Sequence, residues 1–413
     1  GLERVAQVAE RMGFAAPRRL PAPRAVIVAG TNGKGSTCVA LEALLRSAGL
    51  TVGTTLSPHV HLFNERVRIN GEQADDQTLC AAFAAVDAAR GEIPLTYFEF
   101  SALVAMHCFR DAAVDAAVLE VGLGGRLDAF NLVAADVAVV TSIGLDHQSY
   151  LGNDVETIGS EKAGVFRDQQ RVVVGECVTA SVLEAAAGLD CRLTRCGVDF
   201  LVHERADGWD YLGAERAFRQ LPLGALAPHN CALAIEAAGH LVALDERQVR
   251  RALDGLSLPG RFETHWIGRD ATPRLLLADV AHNPAGAGFL RQQLRVRYPG
   301  KRFVALFGML DDKDATGTAA ALQDLVAAWV CVPTAGARGL SGRDLATRLN
   351  GVAAPSTVIA VADVASGLAE AQALCSQGDG ILAFGSFSLV EQVRDHQTHA
   401  RQGEAAATMD LEI

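Results

Sequence analysis

The chain has 413 residues, half of them apolar, and a formal net charge of −11, which allows two or three domains and excludes a general attraction to nucleic acid or anionic membranes. Its nine cysteines are scattered and contain no CxxC pair, which argues against a disulfide framework or a zinc site and predicts reduced thiols. No signal peptide opens the chain and no apolar run reaches about 18 residues, so a cytoplasmic monomer without nucleic-acid or membrane partners is expected, with Gly1 in place of Met predicting a start further upstream.

Short β-rich apolar runs then alternate with longer Ala/Leu-rich stretches of helical period. Strands are predicted at Ala25 to Ala29, Ala116 to Val121, Val137 to Ser142 and Val172 to Val174, with helices at Ser36 to Ser47 and Val155 to Lys162. Beyond Arg274 come "LLLADV" before a helix from about Ala285, "FVALFG" before "DDKDATGTAAALQDL", "STVIAVAD" before "VASGLAEAQAL", and "GILAFGSFSLVEQV". Such alternation marks parallel sheets covered by helices. Gly, Asp and Pro cluster in "IGRDATP", Ile267 to Pro273, which predicts a linker between domains at residues 1–268 and 274–413. The predicted fold is α/β: a P-loop-type parallel-sheet ATPase domain followed by a smaller Rossmann-like domain.

The stretch "VIVAGTNGKGSTCVALEALL" from Val26 carries the first chemistry. A strand ending at Ala29, a glycine turn and a helix opening near Ser36 form a cradle of backbone N–H groups for phosphate oxygens, and Lys34 adds a mobile positive charge. It departs from GxxxxGK[ST]: Val28 holds the first glycine's place, and Gly35 stands directly after the lysine. A turn that binds nothing is the bland alternative.

Those residues, GTNGKGS at Gly30 to Ser36, resemble the nucleotide loop of the folylpolyglutamate synthase and dihydrofolate synthase family, relatives of the Mur ligases. Further blocks resemble the family in family order: "GLERVAQVAERMG", "TLSPHVHLFNERVRING", "LTYFEF", "LEVGLGGRLDAFN", "TSIGLDHQSYLG", "EKAGVF", "PGRFE", "DVAHNP" and "FGMLDDKD". The resemblance implies that residues 1–268 form a Mur-ligase-like domain binding ATP and pterin, and that residues 274–413 form a glutamate-ligase domain. It implies ATP contacts at Thr31, Asn32, Gly33, Lys34, Gly35, Ser36, Asn230, Arg261 and Asp279.

Glu120 ends the strand "AAVLEV", at the edge where ligands collect in open parallel sheets, and a carboxylate there suits a Mg²⁺ shared with phosphates. His147 also follows a strand; read alone it is more often a hydrogen-bonding residue, since Mg²⁺ prefers oxygen. The resemblance makes Ser57, Glu120 and His147 metal ligands. Lys162, by composition a solvated helix lysine, matches a lysine that the family carbamylates to help hold a second Mg²⁺. "GLGGR" at Gly122 to Arg126 fails the GxGxxG pattern, because the third glycine falls on Leu127. The aromatic pair and carboxylate of "LTYFEF" suit a flat heteroaromatic ring, although such a pair is more often plain core. By resemblance the pterin contacts are Thr96, Tyr97, Phe98, Glu99, Leu127, Asp128 and Ala129, with Glu3 and Arg4 nearby. Phe130 stands where a smaller or polar residue is expected. The loop "SPHVHLFNERVRING" either folds over the reacting groups or is an ordinary surface connection.

A carboxylate does not react with an amine at neutral pH, and phosphorylation by ATP removes that obstacle by giving an acyl phosphate. The resemblance implies an ATP-dependent ligase that adds L-glutamate to dihydropteroate and further glutamates to reduced folates. Its catalytic residues are Lys34, Lys162, His147 and His282, the two histidines being alternative bases for the incoming amine. A Mur-type ligase acting on a UDP-MurNAc peptide, a phosphotransferase and a nucleotide-switch module stay open beside it.

Overall fold

A computed structural model describes residues 2–267, 273–352 and 356–409 and divides into two compact units, Gly1–Leu258 and Pro259–Ile413. In the first unit, β1 (Arg24–Ala29), β2 (Val52–Thr55), β3 (Val67–Ile69), β4 (Glu72–Gln73), β5 (Ala116–Glu120), β6 (Val137–Val140), β7 (Arg171–Val174) and β8 (Arg192–Arg195) form one sheet. The spatial order is β4-β3-β2-β5-β1-β6-β7-β8, parallel except where β3 pairs with β2 and β4.

The central strand β1 shows why the runs are apolar on both faces. Val26 and Val28 pack with the helices Lys34–Ser47 and Pro228–Gly239, whereas Ala25, Ile27 and Ala29 pack with Leu2–Arg11 and Tyr97–Asp111. A doubly covered parallel strand has no polar face, and its alternation shows only in which core it enters. The register pairs Val28 with both Glu120 of β5 and Val139 of β6. The loops leaving these three strands therefore emerge side by side at the carboxyl edge.

Sequence reading does not anticipate the antiparallel meander of β9 (Phe200–Arg205), β10 (Gly208–Gly213) and β11 (Ala217–Leu221). Its Trp209, Tyr211 and Phe218 enter the same core as Val26 and Val28.

In the second unit, β12 (Glu263–Ile267), β13 (Arg274–Asp279), β14 (Phe303–Phe307), β15 (Val326–Cys331), β16 (Thr357–Ala360) and β17 (Gly380–Phe384) are ordered β12-β13-β17-β14-β15-β16. Only β12 is antiparallel to its neighbour. The expected linker at Ile267 to Pro273 largely lies outside the described residues, but β12 and β13 pair directly across it. Both sides of that segment thus belong to one sheet, and the division falls between Leu258 and Pro259 instead. The helix expected in "DDKDATGTAAALQDL" is only Ala315–Ala320. Among the described residues no helix is long and apolar enough to cross a membrane.

Candidate active site

The phosphate loop is shaped by its neighbours as much as by its glycines. Gly30 has φ +145°, and a Cβ on it would lie 1.9 Å from Thr141 Oγ1; Gly33 has φ +86°, and a Cβ there would lie 2.4 Å from Asn230 Oδ1. Only glycine permits both the conformation and the approach. The segment after β6 then stitches the loop in place. Thr31 N–H donates to the Ser142 carbonyl (2.7 Å), Asn32 N–H to Ser142 Oγ (3.2 Å), and Thr141 Oγ1 to the Asn32 carbonyl (2.6 Å). Sequence reading places Thr141 and Ser142 in the strand Val137 to Ser142 and gives them no role; they stand directly after β6.

Two lysines converge on one loop carbonyl. Lys34 Nζ donates to the carbonyls of Gly30 (3.0 Å) and Thr31 (3.3 Å), and Lys162 Nζ donates to Gly30 at 2.9 Å. Lys162 is buried, contrary to the solvated lysine that composition suggests. Burial, followed by the nearby Lys34 charge, brings its amine down to about 7, against the opposing pull of Asp146 and Asp128. The helix Val155–Ala163 aims this side chain inward, its start fixed by Asp154, whose carboxylate accepts the Thr157 N–H.

Glu120 is buried at the end of β5, where its Oε2 accepts the Ser57 N–H at 2.7 Å. A Cβ on Gly35 would sit 3.5 Å from that same oxygen, so the carboxylate lies against the first turn of the phosphate-loop helix. Ser57 and Glu120 are thus brought together. His147 opens the helix Gln148–Leu151 with φ +51°, its N–H on Asp146 Oδ1, and that aspartate is one of the charges acting on Lys162. Among the described residues no three His, Cys, Asp or Glu side chains cluster around a metal position.

The residues expected around a pterin adjoin the same edge. Phe98 packs edge-on against Phe130 (5.8 Å between centroids), and a Cβ on Gly122 would fall 2.5 Å from the Phe98 ring. The large Phe130 is therefore accommodated as a buried prop for Phe98. Asp128 accepts the N–H groups of Gly122, Leu123 and Phe130 at 2.9 to 3.2 Å and so folds the glycine loop around itself. Burial pushes this carboxyl up to about 6 despite those three bonds. Glu99 likewise caps its own helix through the Thr96 N–H (2.7 Å) and forms a bidentate pair with Arg4. Ala129 is buried, while Leu127, Tyr97 and Glu3 are exposed.

In the second unit, Asp279 accepts the N–H groups of Phe262 (2.9 Å) and Ala281 (2.8 Å), joining the turn that carries Arg261 to the turn that carries His282. Burial raises its carboxyl, against the charges of Arg261 and His282. Arg261 lies over the Phe387 ring (5.4 Å), and the His282 ring lies 6.2 Å from the same phenyl. His282 Nδ1 is 2.8 Å from the Val280 carbonyl, to which it donates.

Residues 28–198 match the Mur ligase middle domain, and residues 260–387 match the Mur ligase glutamate ligase domain. The dihydrofolate synthase/folylpolyglutamate synthase of Escherichia coli K12 is 40% identical over 98% of this chain and 92% of its own length. The chain belongs to the dihydrofolate synthase/folylpolyglutamate synthase family. The Haemophilus influenzae family member is 37% identical over 95% of this chain and 92% of its own length. Among solved structures of the family, E. coli FolC in complex with DHPP and ADP superposes with a TM-score of 0.89 and 39% identity, covering 97% of this chain and 94% of that one. A bifunctional family member with Mn, AMPPNP and L-glutamate bound gives 0.86 and 41%, covering 96% and 94%. The family's middle-domain match spans the phosphate loop, Ser57, Glu120, His147 and Lys162; its C-terminal match opens just before Arg261 and takes in Asp279 and His282. Asn230 lies between the two matches.

Proposed function

We propose that the chain joins L-glutamate to dihydropteroate, giving dihydrofolate, and extends reduced folates by further glutamates at the same site. It is an ATP-dependent ligase, with ATP as co-substrate and Mg²⁺ as cofactor. The observation that carries this reading is the convergence of Lys34 and Lys162 on the Gly30 carbonyl beside the buried Glu120, in a chain that matches a bifunctional relative over 98% of its length.

A carboxylate oxygen of the pterin-bearing substrate attacks the γ-phosphorus of ATP, and ADP leaves. The glutamate nitrogen then attacks the acyl carbon, loses a proton, and expels phosphate together with the oxygen that made the attack. The backbone N–H groups of the loop and the Lys34 ammonium hold the phosphates and neutralise charge spreading over the transferred group. Ser57, Glu120 and His147 would hold Mg²⁺, which would supply further neutralisation of phosphate charge. Asn230 holds the nucleotide loop at Gly33, Arg261 clamps phosphate, and Asp279 fixes the turns on either side of itself. His282 and His147 are the alternative acceptors of the amine proton. Phe98, Asp128 and Ala129 form the wall for the pterin, with Tyr97 and Leu127 at its exposed margin. Incubation with dihydropteroate, glutamate and MgATP, with products resolved by mass, tests the reading; dihydrofolate in step with ADP is expected, and ADP without an amide product overturns it.

The same reading assigns Lys162 as a carbamate. Only a neutral amine captures CO₂, and an amine titrating at about 7 is largely neutral at mildly alkaline pH. Activity is expected to fall in CO₂-depleted buffer, to return with bicarbonate, and to recover less below pH 7, where protonation competes. Intact mass in bicarbonate supplies the direct check; an active enzyme of unmodified mass removes the assignment.

A further inference from the structure

The loop from Ser57 to Arg66 is held by side-chain bonds along its length. Glu65 accepts the backbone N–H groups of Val60 (2.7 Å), His61 (2.8 Å) and Leu62 (2.9 Å), and Asn64 ties the loop to the Ala74 carbonyl and Asp76. A row of rings anchors it to the helix Tyr97–Asp111: Phe100 to Phe83 at 5.9 Å, Phe83 to Phe63 at 5.2 Å, and Phe63 to Tyr97 at 6.2 Å. Arg66 closes the loop. Its guanidinium lies 5.3 Å from the Tyr97 centroid and 6.0 Å from that of Phe63, and its Nε donates to His59 Nδ1 at 2.8 Å. Among the described residues the two terminal nitrogens of Arg66 meet no hydrogen-bond or ion-pair partner. The fork is thus oriented by three neighbours while its outer edge stays available, beside a tyrosine that is 60% exposed.

We propose that Arg66 is the specificity residue for the chain-extending reaction, receiving the α-carboxylate of the terminal glutamate on a folate substrate. A pre-oriented guanidinium fits a carboxylate with two parallel N–H···O bonds, and a chain of net charge −11 holds anions only through such local cations. The reacting carboxylate is the poorer candidate. It must attack phosphorus with a lone pair, and a bidentate guanidinium on its oxygens would stabilise the ground state and lower its nucleophilicity. Dihydropteroate carries only that reacting carboxylate, whereas a folate glutamate carries a second one that keeps its charge throughout. Arg66 therefore distinguishes the two reactions of a single site.

The inference rests on the two-reaction reading and on Tyr97 facing the folate. Its test is the ratio of kcat/KM for tetrahydrofolate monoglutamate to that for dihydropteroate, which does not depend on the fraction of folded enzyme. Arg66→Ala should lower this ratio roughly 10- to 100-fold, mainly through KM for the folate, the usual worth of a charged hydrogen-bonded pair. Arg66→Lys, which keeps the charge without the fork, should restore part of it. An unchanged ratio, or equal loss on both substrates, overturns the assignment. A wild-type enzyme that glutamylates neither substrate instead refutes the two-reaction reading, so the two failures are distinct.

Discussion

Lys34→Ala is expected to lower kcat by on the order of 10²- to 10³-fold while leaving the protein folded. The side chain buries no charge in the core; it reaches back over its own loop to the Gly30 and Thr31 carbonyls. In its absence Lys162 still donates to Gly30, and the Thr31, Asn32 and Thr141 bonds still stitch the loop. What disappears is a mobile positive charge at the phosphate, which matters most when charge spreads in the transition state. Steady-state rates beside a thermal melt check this: near-normal turnover, or a collapsed melt, contradicts the role.

Glu120→Gln is the second large effect. The amide oxygen can still accept the Ser57 N–H, so the bond from that loop to the end of β5 persists. The negative charge is lost at the only carboxylate expected among the metal ligands. The Mg²⁺ concentration for half-maximal rate should rise about 100-fold, with kcat also reduced, whereas ATP binding in the absence of metal should change little. A Mg²⁺ titration of initial rate is the measurement, and an unshifted titration curve rules out Glu120 as the ligand.

The parts of this site that were legible in sequence are those made by local chemistry. GTNGKGS is readable because a glycine turn with a lysine between strand and helix has few uses other than phosphate. Glu120 stands out because it ends a buried strand, whereas His147, in the segment beyond β6, is singled out only by the resemblance. Parallel strands such as β1 and β5 announce themselves as unbroken apolar runs, whereas β9 and β11 of the meander mix exposed polar residues with buried ones, and the meander passed unread. The burial of Lys162 is a tertiary fact: the helix Val155–Ala163 has the same composition whether that residue faces water or the loop. The same holds for Asp128 and Glu99. The resemblance places both beside a pterin, but their bonds to Gly122, Leu123, Phe130 and Thr96 appear only once the chain is folded. Arg66 looked like one charge among several in "FNERVRING", and only its place over Tyr97 and Phe63 sets it apart. The boundary expected at Ile267 to Pro273 followed turn composition, which occurs between paired strands as readily as in a linker; the flanking β12 and β13 pair antiparallel.

Activation of the substrate carboxylate by direct phosphorylation is the step on which the assigned roles of Lys34, Glu120 and the phosphate loop all depend. Dihydropteroate carrying heavy oxygen in its carboxyl group, turned over with glutamate and MgATP, measures it. One labelled oxygen should appear in each inorganic phosphate released, with the other retained in the new amide; amide formation with unlabelled phosphate would contradict the account.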